Sequence, residues 1–278
     1  MKHLCRFLSI SLLLFCLVQT SFAQAYRILI SNDDGIKSTL LETLSTGLSK
    51  LSDVEVVIVA PAKNQSGSSH STDGRTLEVE KIFKNEQLFG YAVSGRPADA
   101  VRFGLTVLGK DKPFDLVVSG INRGANVGKL SHLSGTVGAA MEALYYNTPA
   151  IAVSQEVRGV NTEASALFIS QLVSKYQKNG APEGVVISVN IPAGELKGVV
   201  AKPMGDAYLD MGDYGLKSET GNKAVYQQKL ALSKSKNTET DTYAYQQGYI
   251  TITPLKFDWT AHKMLEDINS WGLTLKKN

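Results

Sequence analysis

Asp33 and Asp34 directly follow the apolar run "ILIS" (28–31), and Gly35 comes next to turn the chain. Adjacent carboxylates at a strand tip repel each other, and a divalent cation that neutralises both makes the arrangement favourable. Oxygen-only donors, with no cysteine and no clustered histidines, suit hard cations such as Mg²⁺ or Mn²⁺. Ser66 in "APAKNQSGSS" and Asn122 in "SGINRGANVG" can complete such a shell with neutral oxygens. Taken alone, "DDG" is better explained as a turn with solvated carboxylates. The apolar strand before it and the two partner loops favour the metal reading.

A second feature suits an anion. In "SGTVGAAMEAL", Ser134, Gly135 and Thr136 stand at a helix start, where free N–H groups and the helix dipole attract phosphate. Ser and Thr are also ordinary helix caps, and in isolation that explanation suffices. Beside a metal loop, phosphate binding is the better reading. The metal would polarise the phosphoryl group and orient or activate water, and Asp33 or Asp34 could serve as base. His70 and His132 lie in the same loops and could shuttle protons, although a lone loop histidine is more often a bystander. No GxxxxGK[ST], GxGxxG, HExxH or GxSxG motif occurs, so ATPase, dinucleotide oxidoreductase, zincin and serine-hydrolase readings lose support.

These residues need a scaffold that gathers them. Buried strands are expected at 26–31, 54–60, 115–120 and 149–154, and a fifth in "GVVISVNIP". Helices are expected at 40–51, 97–109, 137–147 and 162–178 between them. Two shorter alternating strands, "RTLEVEKI" and "LFGYAVSG", form an antiparallel excursion. Continuous apolar strands alternating with helices indicate an α/β fold with a mainly parallel sheet covered on both faces. Ligands of such sheets bind outside the carboxyl ends of the strands, where all three loops would meet. After about residue 200, "KAVYQQKLALSKSKN" and "DTYAYQQGYITITPL" alternate polar with apolar residues, as strands with one wet face do. This region, 201–278, reads as a β-rich appendage with a closing helix at 260–271, following a core at 24–200.

Residues 1–23 are set apart. Lys2 and Arg6, the 12-residue apolar run "FLSISLLLFCLV" and the small residues of "SFAQA" form a secretory signal pattern, with cleavage after Ala23 and export to the periplasm expected. A membrane span takes roughly 20 residues, so no anchor is expected once the signal is cut. The chain of 278 residues carries a net +3; without Lys2 and Arg6 it carries 27 basic and 26 acidic residues, or +1. Near-neutrality argues against binding a nucleic-acid polymer. Both cysteines, Cys5 and Cys16, leave with the signal, so no disulfide or thiolate site is expected in the mature chain.

Assembled, "ILISNDDG", "APAKNQSGSS", "GRPADAVRFGL", "DLVVSGINRGANVG", "SGTVGAAMEA", "PAIAVS" and "GYITITPL" resemble, in order, the survival protein SurE family of metal-dependent nucleotidases. The resemblance implies a Rossmann-like three-layer core with a C-terminal β-hairpin used in homodimer and homotetramer assembly. It implies hydrolysis of nucleoside 5′- and 3′-monophosphates with one divalent metal. By resemblance the metal falls on Asp33, Asp34, Ser66 and Asn122, and the phosphate on Asn126, Ser134, Gly135 and Thr136. Three positions depart from the family pattern: Ser38, Thr39 and Leu40 replace Ala-Pro-Gly, Arg96 stands at a threonine, and Leu133 at an aromatic. Arg96, opening "RPADAVRFG", reads first as a solvent-facing arginine on a turn, and alternatively as a guanidinium fork offered to substrates with extra phosphates. The competing classes are a broad-specificity phosphatase or exopolyphosphatase, and a nucleotide-binding protein without catalysis.

Overall fold

The computed structural model describes residues 25–275. The expected signal segment and both cysteines lie outside the described residues. The chain runs β1 (Tyr26–Ser31), α1 (Thr39–Leu48), β2 (Val54–Pro61), β3 (Val79–Lys84), β4 (Gln87–Val93), α2 (Pro97–Phe103), β5 (Leu116–Arg123), α3 (Gly135–Tyr145), β6 (Ala150–Gln155), α4 (Thr162–Asn179) and β7 (Val185–Ile191). It continues through β8 (Val199–Ala201), β9 (Leu209–Asp210), β10 (Tyr214–Thr220), β11 (Lys223–Gln228), β12 (Ala231–Leu232), α5 (Asp241–Gln246), β13 (Ile250–Lys256) and α6 (Leu265–Ser270).

Nine of these strands form one sheet, ordered β3-β4-β2-β1-β5-β6-β7-β13-β8. Pairing from β4 to β7 is parallel throughout, and the hairpin partner β3 and the returning β13 are antiparallel. The expected Rossmann-like, three-layer α/β architecture is observed. Ile28, Ile30, Val118 and Ile151 pack with Leu41, Leu44 and Ile169 of α1 and α4 on one face. Leu29, Val117 and Ala152 alternate to the other face, against Ala100 and Val101 of α2 and Ala139 and Ala143 of α3. Period-2 alternation thus feeds two cores, which is why these strands carry apolar residues at nearly every position.

Beyond residue 200 the reading needs correction. The hairpin is β10–β11, turning at Gly221, and not the pair 223–237 and 241–255. "DTYAYQ" is helix α5, capped by the Thr240 hydroxyl, which accepts from the Tyr243 amide. Six residues are too few for periodicity to separate strand from helix, and the cap decides. β13 returns to the main sheet beside β7, burying Thr251, Thr253 and Leu255. The closing helix is shorter than expected: a 3₁₀ turn at His262–Met264 leads into α6. Among the described residues no helix is long and apolar enough to cross a membrane.

Candidate active site

The chain leaves β1, adds β2 on one side of it, then crosses to β5 on the other. The crevice at this reversal is where open α/β sheets bind ligands. Asp33 and Asp34 leave β1 there, and Asn122 is the penultimate residue of β5. The Asn32 amide braces the turn, donating to the Gly35 carbonyl at 3.2 Å while its Oδ1 accepts from the Gly35 N–H at 3.0 Å.

Asp33 is 3 % exposed, yet among the described residues neither Asp33 nor Asp34 has an ion-pair partner. Burial pushes both carboxyls above their ordinary range, and the charge of Asp34 adds to the effect on Asp33. Hydrogen bonds offset part of this cost. The Thr136 hydroxyl donates to Asp33 Oδ1 at 2.6 Å. Asp34 Oδ2 accepts from the Arg123 amide at 3.1 Å, and its Oδ1 accepts from Asn64 Nδ2 at 3.3 Å.

Of the other two expected metal donors, Ser66 joins this web through Asn64, and Asn122 immediately precedes Arg123, whose amide binds Asp34. The Ser66 amide donates to Asn64 Oδ1 at 3.0 Å, so Asn64 bridges Ser66 and Asp34. Asn122 Nδ2 donates to the Gly124 carbonyl at 2.7 Å, leaving Oδ1 as the atom free to bind a cation. No cluster of three His, Cys, Asp or Glu residues suited to a metal occurs among the described residues. A buried and a half-buried carboxylate without a counter-cation, beside neutral hydroxyl and amide oxygens, nevertheless fit a hard divalent ion.

The expected anion seat also assembles. Ser134 caps α3, its Oγ accepting from the Val137 amide at 3.1 Å. The Gly135 and Thr136 amides precede any intrahelical partner. Gly135 is required by close approach: a Cβ there would lie 2.5 Å from Ser68 Oγ and 2.9 Å from Asp33 Cβ. Thr136 faces Asp33, with its backbone N–H also favouring the ionised carboxylate. Asn126 lies near β6 and β7, its Nδ2 donating to Ser154 Oγ at 2.9 Å and its amide to Asn190 Oδ1 at 2.8 Å.

The guanidinium of Arg96 is engaged elsewhere. Nε donates to Asp73 Oδ1 at 2.7 Å and Nη1 to Ser71 Oγ at 3.2 Å, pinning the loop that follows Ser66. Sequence reasoning also missed two residues. Ser68 is buried beside Gly135, with no hydrogen-bond partner for its hydroxyl. Asp241, 2 % exposed, accepts from the amides of Gly128 (3.1 Å), Gly205 (2.7 Å) and Thr242 (2.7 Å) and from the Thr253 hydroxyl at 3.3 Å. It ties the loop between Asn126 and Ser134 to the C-terminal segment. A Cβ on Gly128 would collide with the Asp206 carbonyl oxygen, so no larger residue fits this junction.

The family model described as "Survival protein SurE" matches residues 28–210. The chain belongs to the SurE family. It is 35% identical over 256 residues to the "5'-nucleotidase SurE" of Thermoanaerobacter sp. (strain X514), covering 90% of this chain and 100% of that protein. The protein of the same name from Chlorobaculum tepidum is 34% identical over 265 residues, covering 93% and 100%. The crystal structure of the SurE protein from Aquifex aeolicus superposes with a TM-score of 0.74 at 31% identity, covering 88% of this chain and 99% of that one. The family-model match spans the three site loops and the strands that gather them, and ends before β13.

Proposed function

We propose that this SurE-family chain is a 5′-nucleotidase, a divalent-metal-dependent phosphomonoesterase that converts nucleoside monophosphates to nucleoside and phosphate. The observation that carries this reading is the adjacent Asp33–Asp34 pair at the end of β1, with buried Asp33 hydrogen-bonded to Thr136 in the first turn of α3. Asp33, Asp34, Ser66 and Asn122 would hold Mg²⁺ or Mn²⁺. When bound, such an ion neutralises the two carboxylates and supplies Lewis-acid polarisation of the phosphoryl group.

The chain itself supplies orientation. The Gly135 amide and the Ser134 hydroxyl present donors to phosphate oxygens at the positive end of the α3 dipole. Thr136 and Arg123 fix the two carboxylates by hydrogen bonds, so little reorganisation is needed as charge shifts in the transition state. Asp33 Oδ2, on the Gly135 side and free of the Thr136 bond, can accept a proton from attacking water.

We further propose that residues 1–23 direct export, and that the chain works as a homodimer or homotetramer. Supporting the assembly, β10–β11 exposes Tyr214, Leu216, Val225 and Tyr226, and the C-terminal arm exposes Met264, Leu265, Ile268 and Trp271. The deciding experiment assays residues 24–278 with nucleoside monophosphates and Mg²⁺ or Mn²⁺. Phosphate release that is lost in EDTA is expected. Binding without release under any divalent metal would overturn the reading in favour of a non-catalytic nucleotide binder.

A further inference from the structure

A cavity of about 690 Å³ opens along α3 beside the proposed anion seat. Neither Asp33, Asp34 nor Asn122 lines it, but Ser69 and Ser134 do, so it begins where the anion seat ends. Its volume falls within the roughly 300–1,000 Å³ of small-molecule pockets. Met141, Met204, Leu255 and Trp259 supply apolar wall, with His70 and His132 among them. The His132 and Trp259 rings meet edge to face, with centroids 6.1 Å apart. Lys202 and Lys256 reach the same wall, but its body accepts a flat heteroaromatic ring, which stacks on aromatic and thioether groups.

His70 is held in this wall. Its Nε2 donates to Glu142 Oε2 at 2.6 Å, and Arg102 Nε donates to Glu142 Oε1 at 2.7 Å. Glu142 is 1 % exposed, so the carboxylate is a fixed anchor. With Nε2 committed to the Glu142 carboxylate, Nδ1 is the ring nitrogen left for a ligand, an acceptor in the Nε2–H tautomer.

We propose that this cavity seats the nucleoside half of the substrate. The base lies against the Trp259–His132 wall, and His70 Nδ1 accepts from a sugar hydroxyl or a base N–H. This inference rests on the nucleotidase reading, and it makes Trp259 and His70 the residues that discriminate nucleotides from simple phosphoesters.

Two measurements test it. Trp259 and Trp271 are the only tryptophans, so Trp271→Phe leaves Trp259 as the reporter. Adenosine, which carries no phosphate, should quench that fluorescence saturably. Kinetics then compare AMP with glycerol 3-phosphate. Trp259→Ala and His70→Ala should each lower the ratio of their kcat/KM values at least about tenfold. Trp259 stands at the exposed rim, so its truncation keeps the result interpretable if His70→Ala fails to fold. An unchanged ratio with Trp259→Ala, or no response to adenosine, would overturn the assignment. Adenosine quenching without hydrolysis of either ester would instead sink the nucleotidase reading and leave the cavity assignment standing.

Discussion

Thr136 Oγ1 donates to Asp33 Oδ1 at 2.6 Å, joining the first turn of α3 to the end of β1. The bond couples the proposed phosphate seat to the proposed metal seat. A hydrogen-bonded partner of a metal-binding carboxylate typically accounts for roughly 10–100-fold in metal affinity. Thr136→Val should therefore weaken Mn²⁺ binding by about that factor in a calorimetric titration. Unchanged affinity would mean that Thr136 serves the helix alone.

Gly135→Ala tests how tightly the two seats are packed. The added Cβ meets Ser68 Oγ at 2.5 Å and Asp33 Cβ at 2.9 Å, and the second atom belongs to a side chain held from both sides. Overpacking of this kind costs about 1–3 kcal/mol. Expected are a lower melting temperature and a large loss of turnover, with circular dichroism unchanged at 20 °C or so. Combining it with Ser68→Ala should not restore activity, because the clash with Asp33 remains. Full rescue by Ser68→Ala would contradict this geometry.

The partial legibility of the site follows from this arrangement. Asp33, Asp34 and Asn122 could be found because a strand end is written locally, in an apolar run followed by polar residues and glycine. The turning of Thr136 toward Asp33 depends on how α3 crosses the sheet, which no local pattern encodes. Side-chain chemistry offers Arg96 to solvent or to phosphate, but its partners Asp73 and Ser71 lie over 20 residues away in sequence. Asp241 sits in "TETDTYAYQ", where alternation suggests a strand, and three of its four donors, Gly128, Gly205 and Thr253, come from separate segments. The "GN" at 221–222 did mark the true hairpin turn, but the longer alternation after it drew the reading downstream.

Asp241→Ala should be more damaging than its distance from the carboxylate pair suggests. It strands three backbone amides in a buried site, and each unsatisfied donor costs about 1–3 kcal/mol. Thermal unfolding should show the loss. Asp241→Asn, which keeps one acceptor oxygen, should fall between. In Asp241→Asn, competitive inhibition by inorganic phosphate should also weaken, because the Asn126–Ser134 loop loses its tether at Gly128. A phosphate inhibition constant equal to wild type would restrict Asp241 to a stabilising role.

Glu142 gives a pH signature. Burial alone would raise its pKa, but hydrogen bonds from His70 and Arg102 outweigh burial and hold the carboxyl below its usual 4.5. A depressed carboxyl pKa stabilises the fold above the unfolded value, and that stability is lost as pH falls through the folded value. Glu142→Gln should therefore lower the melting temperature at pH 7. The gap from wild type should close as pH falls below about 4.5. A constant gap from pH 7 to pH 3 would show that ionisation of Glu142 does not matter.

The most direct test of the central claim is the turnover of a nucleoside monophosphate by Asp34→Asn at saturating Mn²⁺. Asparagine keeps the size of the side chain and removes its charge, so the metal-free fold should be retained, with a melting temperature equal to or above wild type. If Asp33 and Asp34 hold the catalytic ion, phosphate release should drop by more than about a hundredfold. A folded Asp34→Asn protein that turns over at a near-normal rate would contradict the account.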